Sequence, residues 1–399
     1  MNIELLLSRL EHNVAATPNR IIYRYLSEGL QKETFTFLQL DSAAKIVANA
    51  VSQYAGQGET VMLMFPPGID FIPSLIGTMM SGAIAVPVHP PRRSRRIDSF
   101  RAMVDQARPR VILTTDEVLP TIELALAEIG QQIPVLLSRG LSVESTRSFV
   151  VPTSEQVAVL QFTSGSTGSP KGVVITHGNI VANQIVIQAA FGYEPGSCIV
   201  SWLPMFHDMG LFGAILPSLY VGFPTVLMSP QAFLREPLIW LKAISDFRGT
   251  SAGGPNFAFE HCLKNIPDSA MNGIDLSSWK TAFNGAEPVR ESTLKSFAER
   301  FSRCGFDAKA FLPCYGMAET TLMVSGGPSS SGWRTLPRPV SHASQNPSVE
   351  ESIVSCGSIA TGFLVRIVST ETFKVLPDGS IGEIWVSGPS VAIGYWQNE

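Results

Sequence analysis

The amino-acid sequence predicts an α/β fold: layered, mainly parallel sheets with flanking helices, followed by a small β-rich subdomain. Two observations carry this. Short β-branched apolar runs alternate with helical patterns over most of the chain, as strand–helix–strand units do. In addition, two uncharged stretches, Phe71 to Pro91 and Met209 to Pro230, share one layout of apolar helix, glycine and short apolar strand.

The elements follow in order. "TVMLMF" (60–65), "RVILTT" (110–115), "IPVLLS" (133–138), "CIVSWL" (198–203) and "TVLM" (225–228) read as strands, with helices over 238–248 and 290–304. The uncharged stretches are long enough to span a bilayer at roughly 20 residues. Pro73, Gly77, Gly82 and Pro87 cut the first, and Pro217, Gly222 and Pro224 cut the second, so both are read as buried α–β units. No transmembrane segment is expected. From about 353 the texture turns to short alternating strands, giving domains of 1–352 (two α/β sheet subdomains) and 353–399 (β-rich). Residues 326–352, rich in Ser and Pro, form a long polar excursion between them.

Composition excludes several classes. The chain has 399 residues, 45% hydrophobic and 16% charged, enough for two or three subdomains. A net charge of −4 gives no general attraction to nucleic acid or anionic membranes. The five cysteines lack C-x-x-C spacing and read as reduced thiols, and "MNIELLLSRLEHN" is charged too early for a secretory signal. A cytoplasmic protein is expected.

Four motifs carry chemistry. "LQFTSGSTGSPKG" (160–172) lies between two apolar runs that read as strands, so it is a turn between ordered elements. It is not a Walker A loop, because Lys171 follows Pro170 and opens a strand. Gly165 and Gly168 free backbone amides, and Thr163, Ser164, Ser166 and Thr167 add hydroxyls, a set able to wrap pyrophosphate oxygens beside Lys171. A plain surface turn is the alternative. "LPCYGMAETTLM" (312–323) groups Tyr315, a flat face for a base, with Gly316, Glu319 and Thr320; a lone Glu can bring Mg²⁺ to phosphates. "FNGAEPVR" (283–290) offers a Gly285–Pro288 turn whose backbone can line a ligand, or simply a helix start. "WLPMFHDMG" (202–210) sets His207 and Asp208 just after a strand, where α/β sheets gather ligand groups.

In this order the four motifs resemble the adenylate-forming superfamily. "TSGSTGSPKG" is similar to its phosphate-loop signature, "YGMAET" to its Tyr-Gly-x-x-Glu motif, and "GEIWVSGPSVAIGYW" (382–396) to a later one. Within it, "SWLPMFHDMGLFGAILPSLYVGFPTVLMSPQAF", "SAGGPNF", "VPVHPPR", "VSCG" and a short polar insertion resemble the fatty acyl-AMP ligases. The resemblance implies that a fatty acid is activated by ATP to an acyl-adenylate, then passed to the phosphopantetheine thiol of an acyl carrier protein. It further implies that Thr163, Ser164, Gly165, Ser166, Thr167, Gly168 and Lys171 hold the β- and γ-phosphates. Gly285, Ala286, Glu287, Pro288, Tyr315, Gly316, Met317 and Ala318 would frame the nucleotide, Glu319 would bind Mg²⁺, Thr320 would reach the α-phosphate, and His207 would lie beside the carboxylate. Phe206, Met209, Phe212, Gly254, Phe257 and Phe259 are expected around the acyl tail, and the basic cluster 92–96 could steer an acidic carrier protein or be a solvated loop. No T-G-D tripeptide occurs, so the reading expects the large N-terminal domain without the C-terminal catalytic-lysine domain, binding acyl-adenylate but making it poorly. An acyl-CoA synthetase and a non-catalytic acyl- or nucleotide-binding module stay open as alternatives.

Overall fold

The computed structural model describes residues 4–91, 97–142, 151–163, 170–337 and 352–397. Two large sheets dominate. The seven-stranded sheet runs Phe311–Pro313, Thr281–Asn284, Ser251–Gly254, Ile199–Ser201, Thr225–Met228, Ile21–Ser27 and Leu30–Thr36. The six-stranded sheet runs Val135–Leu137, Val111–Thr114, Thr60–Met64, Ile84–Val88, Val157–Thr163 and Lys171–Thr176. Each is parallel except for one terminal pair, Ile21–Ser27 with Leu30–Thr36 and Val157–Thr163 with Lys171–Thr176. The mainly parallel α/β reading of the sequence therefore holds, and the two apolar runs around the Ser/Thr/Gly motif are strands that pair antiparallel.

The helices Phe37–Val51, Phe71–Met80 and His177–Phe191 contribute to one apolar core that takes side chains from both sheets, Leu63 and Val159 from one and Tyr23 and Leu227 from the other. Inter-sheet position explains why these strands and helices are apolar almost throughout: both faces are covered. The two matching units appear as read. Phe71–Met80 is followed, after its cap Ser81, by Gly82 (φ +81°) and leads into Ile84–Val88, buried at every position. Leu216–Val221 ends at Gly222 (φ +94°) and leads into the equally buried Thr225–Met228.

The second unit differs in one respect. It opens with a π-helical turn, Leu211–Ile215, in which the Leu216 amide donates to Leu211 O. Pro217 has no amide to give to residue 213, so the regular ladder cannot run through this point. Carbonyls of this turn accept from outside it: Gln184 Nε2 donates to Phe212 O (2.9 Å), Thr225 Oγ1 to Ala214 O (3.2 Å) and Tyr23 Oη to Ile215 O (2.8 Å). Every one of these donors is buried.

Strands after residue 351 pair both with one another and with earlier chain. Leu364–Val368 and Glu383–Ser387 form a ribbon, Ser352–Val354 pairs with Thr335–Pro337, and Ser358–Ile359 pairs with Met323–Gly326. Residues 338–351 of the polar excursion lie outside the described residues, as do 92–96. No helix among the described residues is long and apolar enough to cross a membrane, and all five cysteines are free.

Candidate active site

A cavity of about 510 Å³ opens where several strands of the seven-stranded sheet end. His207, Ala286 and Tyr315 all line it, each a few residues past the carboxyl end of a strand (Ile199–Ser201, Thr281–Asn284 and Phe311–Pro313), the position at which parallel α/β sheets gather ligand groups. From the other sheet the strands Val157–Thr163 and Lys171–Thr176 contribute Thr163 and Lys171.

Part of the lining is charged or polar: Lys171, His207, Asp208, Glu319 and Tyr395. Lys171 Nζ stands 5.1 Å from the centre of the Tyr395 ring, and Tyr395 Oη donates to Glu319 Oε1 at 2.7 Å. That bond, together with burial and the Glu319 charge, pushes the Tyr395 phenol up to about 12, so it stays a donor at neutral pH. His207 Nδ1 lies 2.6 Å from Asp208 Oδ1, which raises the imidazole above its ordinary range and favours the imidazolium. Asp208 Oδ1 also accepts from the Met209 amide (2.6 Å), at the short turn Asp208–Gly210 that starts the chain toward the π-helical turn.

The Tyr-Gly-x-x-Glu segment is shaped by its glycine. A Cβ on Gly316 would stand 1.7 Å from Leu322 O, the carbonyl that accepts from the Met317 amide at 2.8 Å. No side chain fits there, and the tight return brings Glu319 and Leu322 to the same cavity wall. The return is completed by Thr321 at φ +69°, an unusual conformation for a β-branched residue, held by its hydroxyl donating to Ser390 O (2.8 Å). Ala286, also left-handed at φ +64°, lines the cavity.

The lining also has an apolar set, Ile187, Phe191, Phe283, Leu322 and Met323 with Met209 and Gly213. Phe191 stacks on Phe283 at 5.6 Å and 26°, and Tyr193 backs Phe191 edge-on. The sequence reading missed this wall. Ile187 and Phe191 sit four residues apart on His177–Phe191, a spacing that puts them on one helix face.

Of the residues expected here, Lys171, Thr163, His207, Met209, Ala286, Tyr315, Gly316, Met317, Ala318 and Glu319 line the cavity. Ser164, Gly165, Ser166, Thr167 and Gly168 lie outside the described residues. Others are placed differently. Thr320 is buried and its hydroxyl donates to Met317 O (2.9 Å), so it braces the turn from beneath. Glu287 and Pro288 are exposed, with Glu287 accepting from the Phe257 amide (2.6 Å), and Gly285 is buried with its backbone against Cys314. Phe212 and Phe259 are fully buried in the core. Gly254 packs against Trp202, and Phe257, 40% exposed, meets the same indole edge-on. Phe206 lines a second, apolar cavity of about 450 Å³, edge-on to His89. Helical and strand geometry sent these side chains to other faces, which proximity in sequence does not report.

The chain belongs to the AMP-binding enzyme family, which it matches over residues 10–396. Its relatives put it in the fatty acyl-AMP ligase branch. It is 34% identical to the medium-chain-fatty-acid–[acyl-carrier-protein] ligase TtuA of Teredinibacter turnerae, over 98% of this chain and 69% of that protein. It is 36% identical to JamA of Moorena producens, a ligase of the same description, over 94% of this chain and 67% of JamA. Among solved structures, the fatty acyl-adenylate ligase of L. pneumophila, crystallised with acyl adenylate and pyrophosphate, matches with a TM-score of 0.90 and 36% identity, covering 100% of this chain and 71% of its own.

Proposed function

We propose that this chain binds ATP and a fatty acid in the 510 Å³ cavity and forms an acyl-adenylate there, for delivery to the phosphopantetheine thiol of a carrier protein in the cytoplasm. The observation that carries the proposal is that one cavity is lined both by charged groups (Lys171, His207, Glu319) and by apolar ones (Ile187, Phe191, Phe283, Met323). An acyl-adenylate likewise joins a charged head to an apolar tail. The named functions of TtuA and JamA support the substrate class and the acceptor.

In this reading the Ser/Thr/Gly motif and Lys171 hold the β- and γ-phosphates, and Tyr315 with the backbone at Ala286 frames adenine. The tail runs along the Phe191–Phe283 wall. A carboxylate oxygen attacks the α-phosphorus, the bond to the bridging oxygen breaks, and pyrophosphate leaves. The carboxylate is already ionised at neutral pH, so the site must neutralise charge rather than remove a proton. His207, favoured as the imidazolium, lies where it can lower the repulsion between carboxylate and phosphate.

The donor set suits Mg²⁺. Among the described residues no cluster of three or more His, Cys, Asp or Glu exists, and Glu319 is a carboxylate on the charged wall. Mg²⁺ is commonly held by one or two carboxylates plus substrate phosphates, and when bound it offsets phosphate charge.

Mass spectrometry tests the proposal. Stoichiometric chain with ATP, Mg²⁺ and dodecanoate should yield bound dodecanoyl-AMP and free pyrophosphate, and a carrier protein's thiol should then take the acyl group in preference to coenzyme A. Acyl-CoA as the main product would contradict the acceptor assignment. Absence of adenylate from a chain that binds a dodecanoyl-adenylate mimic would restrict it to binding.

A further inference from the structure

Lys171 and Glu319 line the same cavity with opposite charges, yet no ion pair joins them among the described residues. Tyr395 touches both. Its ring lies under the ammonium at 5.1 Å and its hydroxyl holds the carboxylate at 2.7 Å. The phenol is thus the common partner of a cation and an anion that would otherwise attract each other.

The chain fixes Tyr395 from several sides. Residues 393–396 add to the Lys171–Thr176 strand: Val174 N donates to Gly394 O (2.9 Å) and Trp396 N to Gly172 O (2.7 Å). The stretch just before is laced to the Glu319 turn, with Ala392 N donating to Glu319 O (2.8 Å) and Ser390 Oγ to Thr320 O (3.0 Å). Asn179 Nδ2 secures the same stretch through Pro389 O (2.9 Å) and Val391 O (3.1 Å), and Asn183 Nδ2 through Ser390 Oγ (2.9 Å). So many bonds around one side chain give it a fixed position relative to both charges.

We propose that Tyr395 is a positioning residue, a wedge that keeps Lys171 and Glu319 from pairing and so leaves the ammonium free for phosphate oxygens and the carboxylate aimed for a divalent cation. This rests on the phosphate-end reading given above. The ring and the hydroxyl have separable parts in it. The hydroxyl orients Glu319, as outer-sphere partners orient metal ligands. The ring holds the ammonium by its π face, a contact weak enough to be exchanged for phosphate.

The probe is inorganic pyrophosphate, titrated calorimetrically into the full chain with and without Mg²⁺. The unaltered chain should bind it, and more tightly with Mg²⁺. Tyr395→Phe keeps the ring and should leave Mg²⁺-free affinity within twofold while cutting the Mg²⁺ enhancement by about 10-fold or more. Tyr395→Ala removes the wedge, so Lys171 pairs with Glu319 and Mg²⁺-free affinity should fall about fivefold. Adding Glu319→Gln to Tyr395→Ala should restore that affinity, because the competing anion is gone. Binding of a dodecanoyl-adenylate mimic without Mg²⁺ shows that each variant retains its cavity. If Tyr395→Ala binds pyrophosphate as well as the unaltered chain, or the double variant fails to recover, the wedge is wrong while the phosphate site stands. If the unaltered chain does not bind pyrophosphate at all, the phosphate-end reading and the wedge fall together.

Discussion

At the scale of single residues, the charged groups of the cavity are tuned by their neighbours. His207 is raised first by its bond to Asp208, with the Asp208 charge adding to it and burial opposing. A raised histidine is protonated below its folded-state pKa and loses the charge as pH rises through that value. Affinity for an acyl-adenylate, an anion, should therefore be full at mildly acid pH and decline above the ordinary histidine value of about 6.5. His207→Gln should flatten this decline, as read by calorimetric titrations across pH; an unchanged pH profile in the variant would remove His207 from the anion site. The motifs announced His207, Lys171, Tyr315 and Glu319 because chemistry-bearing side chains stand together there in sequence. Tyr395 was legible only as part of a motif. Its partner Glu319 is 76 residues away, and nothing local shows that contact.

At the scale of elements, the sequence was most readable where one segment contains its own explanation. The helix–glycine–strand units and the strand pair Val157–Thr163/Lys171–Thr176 depend on local periodicity, and both are present. The hairpin Ile21–Ser27/Leu30–Thr36 is different: it is completed by parallel pairing with Thr225–Met228, some 200 residues on, and was not read. The apolar wall was missed for a related reason, since Phe191 and Phe283 come from separate elements and meet only in the fold. Close helix packing was equally invisible. Phe37–Val51 crosses Phe71–Met80 so tightly that a Cβ on Gly77 would lie 2.4 Å from Ala44 O and 2.7 Å from Val47 Cβ. Glycine inside a helix costs about 0.5–1 kcal/mol relative to alanine, and this approach is what the cost permits. Gly77→Val should lower stability by about 1–3 kcal/mol through overpacking, seen as a lower urea midpoint. An unchanged midpoint would show that the two helices can part without loss.

At the scale of the whole molecule, the fold brings chain segments from the two sheets and from the late β-rich region to one cavity. Lys171 comes from the antiparallel pair of the six-stranded sheet, His207, Ala286 and Tyr315 from loops after strands of the seven-stranded sheet, and Tyr395 from the segment that pairs back onto Lys171–Thr176. On the proposed function this cavity takes nucleotide and acyl tail at once. The most direct test is calorimetric titration of the chain with a non-hydrolysable dodecanoyl-adenylate mimic, its phenylalanyl analogue and adenosine. The dodecanoyl compound should bind much the tightest, and adenosine should bind weakly. Equal affinity for all three would contradict the proposed function, because the apolar wall of Phe191, Phe283 and Met323 would then contribute nothing to recognition.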